Sequence, residues 1–281
     1  MIEDRFQGCI APYWVRFAVG HGRIEVASAR SSIATARAGL EPAASACEEG
    51  SDSVRFVMEG AVAGQLSDAQ IDDYHTRPRE GLPWMPPLRM EVRARASHPA
   101  GELLGTAGFG FWNDPFVGQQ GVAAPPNAVW FFYASPPSDM ALVPGVPGHG
   151  WKAAMLNGGR ASDLTMLLGN WLLGVPGLSR LLYRLARARV RAGEQLLEDV
   201  DMAEWHIYAL QWLPEVAIFS VDGHEVYRVA DPPTVPLGFV AWLDNQSAVV
   251  RPGGDFAFHC LAVPHRQWLE VDYVRIEKLP L

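Results

Sequence analysis

Apolar and polar residues alternate along most of this chain, a pattern that predicts β-strands. In residues 87–97 one set of alternate positions is apolar and the other is charged: Leu88, Met90, Val92, Ala94 and Ala96 against Arg89, Glu91, Arg93 and Arg95. Side chains two residues apart share one face of a strand, so this strand has one buried and one solvated face. Further strand-like runs lie at 14–19, 22–29, 54–62, 67–75, 105–116, 204–212, 215–229, 237–245, 255–263 and 268–279. Residues 128–135 are almost wholly apolar and predict a strand that is covered on both faces.

The pattern changes between residues 161 and 198. A Ser-Asp cap signal precedes apolar residues at helical spacing, namely Leu164, Leu167, Leu168 and Trp171. After a Gly-Val-Pro-Gly break, a second helical pattern carries five arginines: Arg180, Arg184, Arg187, Arg189 and Arg191. We therefore predict a helical insert at about 161–198. Three roles stay open for it: a helix pair packed on the sandwich, a lid over a ligand, and a contact with a membrane or a partner.

One domain accounts for the whole pattern. The chain has 281 residues, of which 49% are hydrophobic, and its 27 glycines and 22 prolines punctuate the short strands. We find no internal repeat, low-complexity tract or linker that divides it. The sequence predicts an all-β sandwich of two packed antiparallel sheets over residues 1–281, with the helical insert at 161–198.

Charge and cysteine content narrow the functional classes. The 31 acidic and 23 basic residues give a net charge of −8, so the chain offers no electrostatic reason to bind nucleic acid. Cys9, Cys47 and Cys260 are odd in number and irregularly spaced, which argues against a disulfide framework and against a thiolate zinc site. The first residues are acidic where a secretory signal would be basic, so we predict a cytoplasmic location. No apolar run reaches the ~20 residues of a membrane span.

A series of short motifs resembles a known family. The motifs are Met-Glu-Val-Arg-Ala-Arg at 90–95, Gly-Phe-Trp at 110–112, Trp-His-Ile-Tyr-Ala-Leu-Gln-Trp at 205–212, Val-Asp-Gly at 221–223 and Val-Asp-Tyr-Val-Arg at 271–275. In this order they resemble the concanavalin A-like lectin/glucanase superfamily, especially glycoside hydrolase family 16, over residues 66–133 and 203–278. The resemblance implies a jelly roll in which one sheet bends into a groove.

The chain departs from that family at its catalytic strand. Family members carry Glu-x-Asp-x-x-Glu on the strand after the Phe-Trp motif, and two of these carboxylates perform retaining hydrolysis. Here the corresponding strand, residues 128–135, has no carboxylate, and the motif occurs nowhere in the chain. The resemblance therefore implies the family's fold without its usual hydrolysis.

Aromatic residues replace the carboxylates. The resemblance places Trp112, Trp130 and Phe132 near the groove, where they would stack on apolar or sugar-ring faces. The full set of ligand-binding candidates is Trp112, Asn113, Trp130, Phe132, Trp151 and Trp171. The alternative is that these aromatic residues simply fill the core between the sheets.

The catalytic candidates are Asp72, Asp114 and His149. Asp114 ends a predicted strand and is a candidate general acid or hydrogen-bonding anchor, with an Asn-Asp-Pro turn as the alternative. Alternation in 67–75 groups the polar residues: Gln70, Asp72 and Tyr74 on one face, Asp73 and His75 on the other. His149 begins a predicted strand and is a candidate proton donor.

One metal site is implied by the resemblance. Asp272 matches the terminal-strand aspartate that binds a structural calcium ion in many family members, and a plain hydrogen-bonded aspartate is the alternative. We expect no other cofactor.

Three functional hypotheses follow. The first is a protein that holds a glycan or another ring-bearing, partly apolar small molecule in an aromatic groove without turnover. The second is a glycoside hydrolase or lyase-like enzyme that uses displaced acids. The third is a membrane-surface or partner contact through the basic insert, which is not favoured.

Overall fold

The structure is a computed structural model that describes residues 1–7, 9–28, 51–115, 124–159, 190–250 and 256–280. Most of the predicted helical insert, together with Trp171 and Cys47, lies outside these ranges. The end of the predicted insert lies inside them, where Arg191–Leu196 forms a strand. The helical range up to 198 is therefore too long. These residues pair antiparallel with Lys152–Asn157. The arginine-rich spacing predicts a helix but does not show where it ends, so the predicted range includes residues that belong to a strand.

The described residues form seventeen strands and a short 3-10 turn at Arg79–Gly81. The strands are β1 (Ile2–Asp4), β2 (Val15–Val19), β3 (Gly22–Ser28), β4 (Ser51–Met58), β5 (Asp68–Asp72), β6 (Leu88–Ala96), β7 (Thr106–Trp112), β8 (Asn127–Ala134), β9 (Gly150–Asn157), β10 (Arg191–Leu196), β11 (His206–Trp212), β12 (Val216–Val221), β13 (His224–Ala230), β14 (Gly238–Asp244), β15 (Gln246–Val250), β16 (Phe256–Cys260) and β17 (Gln267–Lys278).

Two large antiparallel sheets make up the fold, as the alternating pattern predicts. Sheet A has the order β13-β12-β11-β6-β17-β4-β3, with β1 paired to β17. Sheet B has the order β10-β9-β8-β7-β14-β5-β2, and β15 and β16 form a separate two-stranded ribbon. The predicted hairpin at Asp222-Gly223 joins β12 to β13, and both residues have the positive φ that such a two-residue turn requires.

The main core lies between the two sheets. Phe109 and Phe131 of sheet B meet Tyr208 of sheet A, with ring centroids 5.2 and 5.0 Å from Tyr208. Trp151 belongs to the same cluster, because its ring lies 5.5 Å from Tyr208 and only 2% of the residue is exposed. Its predicted place in the groove is wrong. On β9, Lys152 takes the outward position next to it, so Trp151 must point inward.

A second apolar cluster covers the other face of sheet B. It comprises Tyr74, Leu82, Phe132, Ala134, Val240 and Trp242, with Trp112, Trp130 and Met140 packed against it. Strand β8 thus has apolar neighbours on both faces, as its composition predicts. We call this second surface the outer face of sheet B.

Cysteine chemistry differs from the prediction. Cys9 is disulfide-bonded and Cys260 is free. The number and spacing of the cysteines do not predict this bond, because the separation of two cysteines along the chain does not give their distance in the fold. Disulfides are typical of oxidising compartments, so the cytoplasmic location stays a prediction without support from the cysteines. Within the described ranges, no helix has the length and apolar character needed to cross a membrane.

Candidate functional site

Two glycines of β7 shape the centre of the outer face of sheet B. A Cβ atom at Gly108 would lie 2.4 Å from the Phe131 carbonyl oxygen and 2.7 Å from Cη2 of Trp242. A Cβ atom at Gly110 would lie 2.5 Å from Cα of Trp130. Because β7 presents no side chains here, the large rings of the flanking strands can lie over it.

The rings above these glycines form a continuous cluster, which we call the aromatic strip: Tyr74, Trp112, Trp130, Phe132 and Trp242. The Trp130 ring is central, at 5.8 Å from Trp112, 5.7 Å from Phe132 and 5.5 Å from Trp242 between centroids. Tyr74 meets Trp112 at 5.9 Å. Trp112 and Trp130 keep partly exposed surfaces, whereas Trp242 is 8% exposed. The sequence points to Trp112, Trp130 and Phe132 as ligand-binding candidates and groups Tyr74 with Gln70 and Asp72 on one strand face, but it gives no signal for Trp242.

The indole nitrogen of Trp130, at the centre of the strip, has no hydrogen-bond partner among the described residues. This nitrogen is also buried. An indole N–H that has lost water without gaining an acceptor costs free energy. A ligand hydroxyl or carbonyl oxygen above the strip would satisfy it.

An aspartate–histidine pair flanks the strip. Asp72 is fully buried and accepts hydrogen bonds from the Tyr74 and His75 backbone N–H groups at 3.1 and 2.9 Å, and from Gln70 Nε2 at 2.9 Å. It also lies 2.6 Å from Nδ1 of His75. These contacts fix the Asp72 carboxylate, and the carboxylate in turn fixes the His75 ring.

The His75 ring is held by its neighbours. It stacks between Tyr74 and Phe17, at centroid distances of 4.8 and 5.2 Å. Burial alone would lower the pKa of His75, but the hydrogen bond and the negative charge of Asp72 outweigh burial and raise it. Nε2 of His75 has no partner among the described residues, and the side chain keeps 15% of its surface exposed. The pair therefore presents the Nε2 atom of an oriented imidazole ring beside the strip.

The prediction that His75 and Asp73 share the reverse face is wrong. Strand β5 ends at Asp72, so the alternation of a strand no longer applies to Asp73 and His75. Asp73 instead accepts hydrogen bonds from Trp84 Nε1 at 2.6 Å and from the Phe239 N–H at 2.8 Å, on the core side. Burial raises the pKa of Asp73 to about 7.

Two further acids face each other on the same outer face. Asp68 of β5 lies directly opposite Asp244 of β14, and they are 9% and 8% exposed. Asp244 accepts hydrogen bonds from the Thr106 and Gln246 N–H groups, but Oδ1 of Asp68 is buried without a partner. Burial raises the pKa of both carboxyl groups, and the charge of Asp244 raises that of Asp68 further. A motif of acids on a single strand cannot reveal this pair, because Asp68 and Asp244 lie on two different strands.

The remaining candidates have local structural contacts. The Asn113 amide donates to the Pro125 carbonyl, and its oxygen accepts from the Asn127 N–H, so it holds the end of β7 against β8. Asp114 has a φ of 41°, and its carbonyl accepts from Arg79, which fits the turn alternative. His149 is exposed just before β9 and has no described contact with the strip.

The neighbourhood of Asp272 does not fit a calcium ion. Oδ2 of Asp272 lies 2.5 Å from Nη1 of Arg93, so a guanidinium already occupies the place of a cation. Within the described ranges, no group of three or more His, Cys, Asp or Glu residues could hold a metal. Asp272 is an ion-pair partner on sheet A.

Comparisons with known proteins bear on the fold. The chain matches no protein-family profile and no curated protein. Among solved structures, an endo-acting O-glycanase of human gut microbiota members has a TM-score of 0.52 at 13% identity, covering 100% of this chain and 99% of that one. A lichenase from a mouse hindgut metagenome and the laminarinase catalytic domain of Thermotoga maritima both reach 0.48 at 12% identity, covering 99% and 100% of this chain and 99% and 98% of theirs. At such identities the likeness concerns the fold alone, and that fold is the concanavalin A-like jelly roll of endo-glycanases.

Proposed function

We propose that this protein binds a glycan, or another ring-bearing and partly apolar small molecule, on the aromatic strip. The observation that carries the proposal is the cluster of Trp112, Trp130 and Trp242 on an outer sheet face. A water-facing sheet normally presents polar side chains on its outer positions. Rings in these positions instead favour a partner with apolar faces.

The strip suits a sugar chain in particular. Indole faces stack against the C–H faces of a pyranose ring, while polar groups at the margin bond the hydroxyls. Trp130 Nε1 offers an unused donor within the strip. His75 Nε2 supplies a second polar contact at its edge. The endo-glycanase fold is consistent with a carbohydrate ligand but does not by itself assign one.

Binding without the usual hydrolysis is the favoured form of this function. Strand β8 contains no Asp or Glu, so it cannot supply the two carboxylates of a retaining glycosidase. Its outward positions at 128, 130, 132 and 134 are all apolar.

Isothermal titration calorimetry tests the proposal. Neutral hexasaccharides of β-1,3-glucose, β-1,4-glucose and N-acetylglucosamine are titrated into the protein, and reducing ends are assayed in the same samples. We expect measurable heat with at least one hexasaccharide and no rise in reducing ends. Absence of binding to all three, and to apolar ring compounds, would overturn it.

An enzymatic alternative is supported by one observation, the orientation of His75 by Asp72. An aspartate on Nδ1 and an open Nε2 are the features of a general acid–base histidine. In this alternative Asp72 positions His75, and Asp114 and His149 have no part in the chemistry. Release of reducing ends by wild type and its loss in His75→Gln would favour this alternative over binding alone.

The third hypothesis, a membrane or partner contact, rests on residues 164–191. Almost all of them lie outside the described ranges, and the described residues add no support to it.

A further inference from the structure

We propose that the ligand of the aromatic strip carries a positive charge, as an amino sugar with a free ammonium group does, and that Asp68 and Asp244 bind that group. This inference rests on the proposed function, because it names the class of sugar that the same surface takes. It also assigns a role to an acid pair on this face that has no counter-charge among the described residues.

Other charged side chains that the structure describes on the outer face of sheet B are already paired. Lys152 and Glu194 form a fully buried ion pair at 2.9 Å, and Glu194 also holds the Leu142 and Val143 N–H groups. Asp72 is paired with His75. By contrast, no described Arg, Lys or His contributes a favourable charge to Asp68 or Asp244.

The geometry of the acid pair calls for a positive partner. Directly opposite residues of antiparallel strands have Cβ atoms only ~5 Å apart, and like charges in that position are destabilising. Both residues are more than nine-tenths buried, so water screens their repulsion poorly. Oδ1 of Asp68 has lost its water and gained no hydrogen bond. Protonation of one carboxyl group would relieve the repulsion in the free protein, and a bound cation would relieve it by balancing both negative charges.

The neighbouring rings favour the same kind of ligand. Trp242 lies on the same face of β14 as Asp244, and its Nε1 donates to Thr106 Oγ1 at 3.0 Å. Thr106 in turn lies directly opposite Asp244 on β7, which places the indole beside the acid pair. The faces of aromatic rings attract cations, most strongly for tryptophan. An acid pair next to Trp242 thus combines charge with an aromatic neighbour.

Ligand binding should release a proton. Burial raises the pKa of both carboxyl groups, that of Asp244 to about 7, and the charge of Asp244 raises the pKa of Asp68 further. An arriving ammonium group would displace a proton bound by either carboxyl group to solvent. The other titratable groups that sense the pair are Asp72 on β5 and Cys260 on β16. Neither can supply the missing positive charge.

Calorimetry with a matched pair of ligands tests the inference. The probes are the hexasaccharide of N-acetylglucosamine and its fully deacetylated form, measured near neutral pH in two buffers of different ionisation enthalpy. We expect the deacetylated form to bind about tenfold more tightly and to release a proton. In Asp68→Asn and Asp244→Asn the two ligands should bind almost equally. Asp222→Asn, which changes an acid of sheet A, is the matched control and should keep the preference.

A second measurement covers the case in which the Asn variants fail to fold. A trimethylated glucosamine hexasaccharide keeps its charge at every pH, so its affinity for wild type should rise with pH as the pair loses its proton, while that of the acetylated form should not. Equal affinities for charged and neutral ligands, or a flat pH profile, overturn the inference and leave the proposed function intact. Failure of every hexasaccharide to bind overturns the proposed function itself.

Discussion

The outer faces of the two sheets both carry acidic and tryptophan side chains, but the two faces pair these side chains differently. On sheet A the outward acids are paired: Glu270 lies 3.0 Å from Arg55 and 2.9 Å from Arg95. The arginines also stack on outward tryptophans, with Arg93 and Arg95 at 4.6 and 4.7 Å from the Trp205 ring. On sheet B the outward tryptophans meet one another, and two acids lack a counter-charge.

The difference shows that aromatic content alone does not identify a binding face. Trp205 and Trp268 on sheet A have cationic side chains over their rings, so their faces are already covered. The rings of Trp112 and Trp130 are partly exposed beside other rings, and Gly110 lies against Trp130. Sheet B therefore differs from sheet A in the groups that cover its tryptophan rings: arginine side chains cover the rings on sheet A, whereas on sheet B the rings contact one another.

The acids of sheet B should make the protein less stable as pH rises. The folded-state pKa values of Asp68, Asp73 and Asp244 are raised, so the native state holds more protons than the unfolded chain between about pH 4 and about 7. The free energy of unfolding should fall across that window by several kcal/mol, since each pKa unit is worth about 1.4 kcal/mol. Urea unfolding at several pH values measures this slope.

Substituting an acid on each sheet shows which carboxyl groups cause the pH dependence of the free energy of unfolding. Asp244→Asn should make the slope shallower without abolishing it, because Asp68 and Asp73 still titrate. Asp222→Asn on sheet A should leave it unchanged, because the hydrogen bonds from His206 and the Ile207 N–H outweigh burial and lower the pKa of Asp222, which moves its titration below this window. An identical slope in wild type and Asp244→Asn would contradict the account.

Adding a side chain at Gly108 should lower the free energy of unfolding nearly as much. Gly108→Ala places a methyl group 2.4 Å from a backbone oxygen and 2.7 Å from the Trp242 ring, so we expect a loss of about 3 kcal/mol or more in the free energy of unfolding. Gly81→Ala is the control, because its Cβ would meet nothing closer than 3.4 Å. Chemical denaturation of both variants measures the contrast. Equal stability of the two would show that the rings do not need the cleared strand.

Removing the central ring should weaken ligand binding. We expect Trp130→Ala to reduce the affinity for the best hexasaccharide about tenfold, equivalent to about 1.4 kcal/mol of stacking. Trp268→Ala removes a ring of the same kind from sheet A and should leave the affinity unchanged. Calorimetric titration of both variants, after circular dichroism has confirmed that they fold, gives the comparison. The reverse order of effects would place the binding face on sheet A.

The smallest effect is expected at Asp272. Its ion pair with Arg93 is partly exposed, with side chains 25% and 38% accessible, so Asp272→Asn should cost less than about 1 kcal/mol. Thermal unfolding of wild type should be the same with and without a calcium chelator. A chelator-dependent loss of stability in wild type that is absent from Asp272→Asn would restore the calcium site.

The sequence predicted the parts of the fold that depend on period-two patterns. The charged and apolar faces of β6, the doubly covered β8 and the Asp222-Gly223 hairpin all follow from local spacing. Such patterns do not say which of the two faces turns towards the core. That is why Trp151 was placed with Trp130, although adjacent strands put them on opposite sides of sheet B.

The site needed information that no single strand contains. Asp68 and Asp244 become neighbours only through the register of β5 against β14. His75 joins Asp72 because the strand ends and turns, where alternation stops applying. The sequence gives no signal for Trp242 as a site residue, because its ring lies against Gly108 of another strand. Local pattern thus predicts elements, whereas function here depends on contacts between elements.

Nuclear magnetic resonance of the tryptophan indole N–H groups tests the central claim most directly. With ¹⁵N-labelled tryptophan, and signals assigned through single Trp→Phe variants, a hexasaccharide is titrated into the protein. The account predicts that the Trp112 and Trp130 signals move with ligand concentration while those of Trp205 and Trp268 stay in place. Shifts confined to Trp205 and Trp268, or no shift with any hexasaccharide, would contradict it.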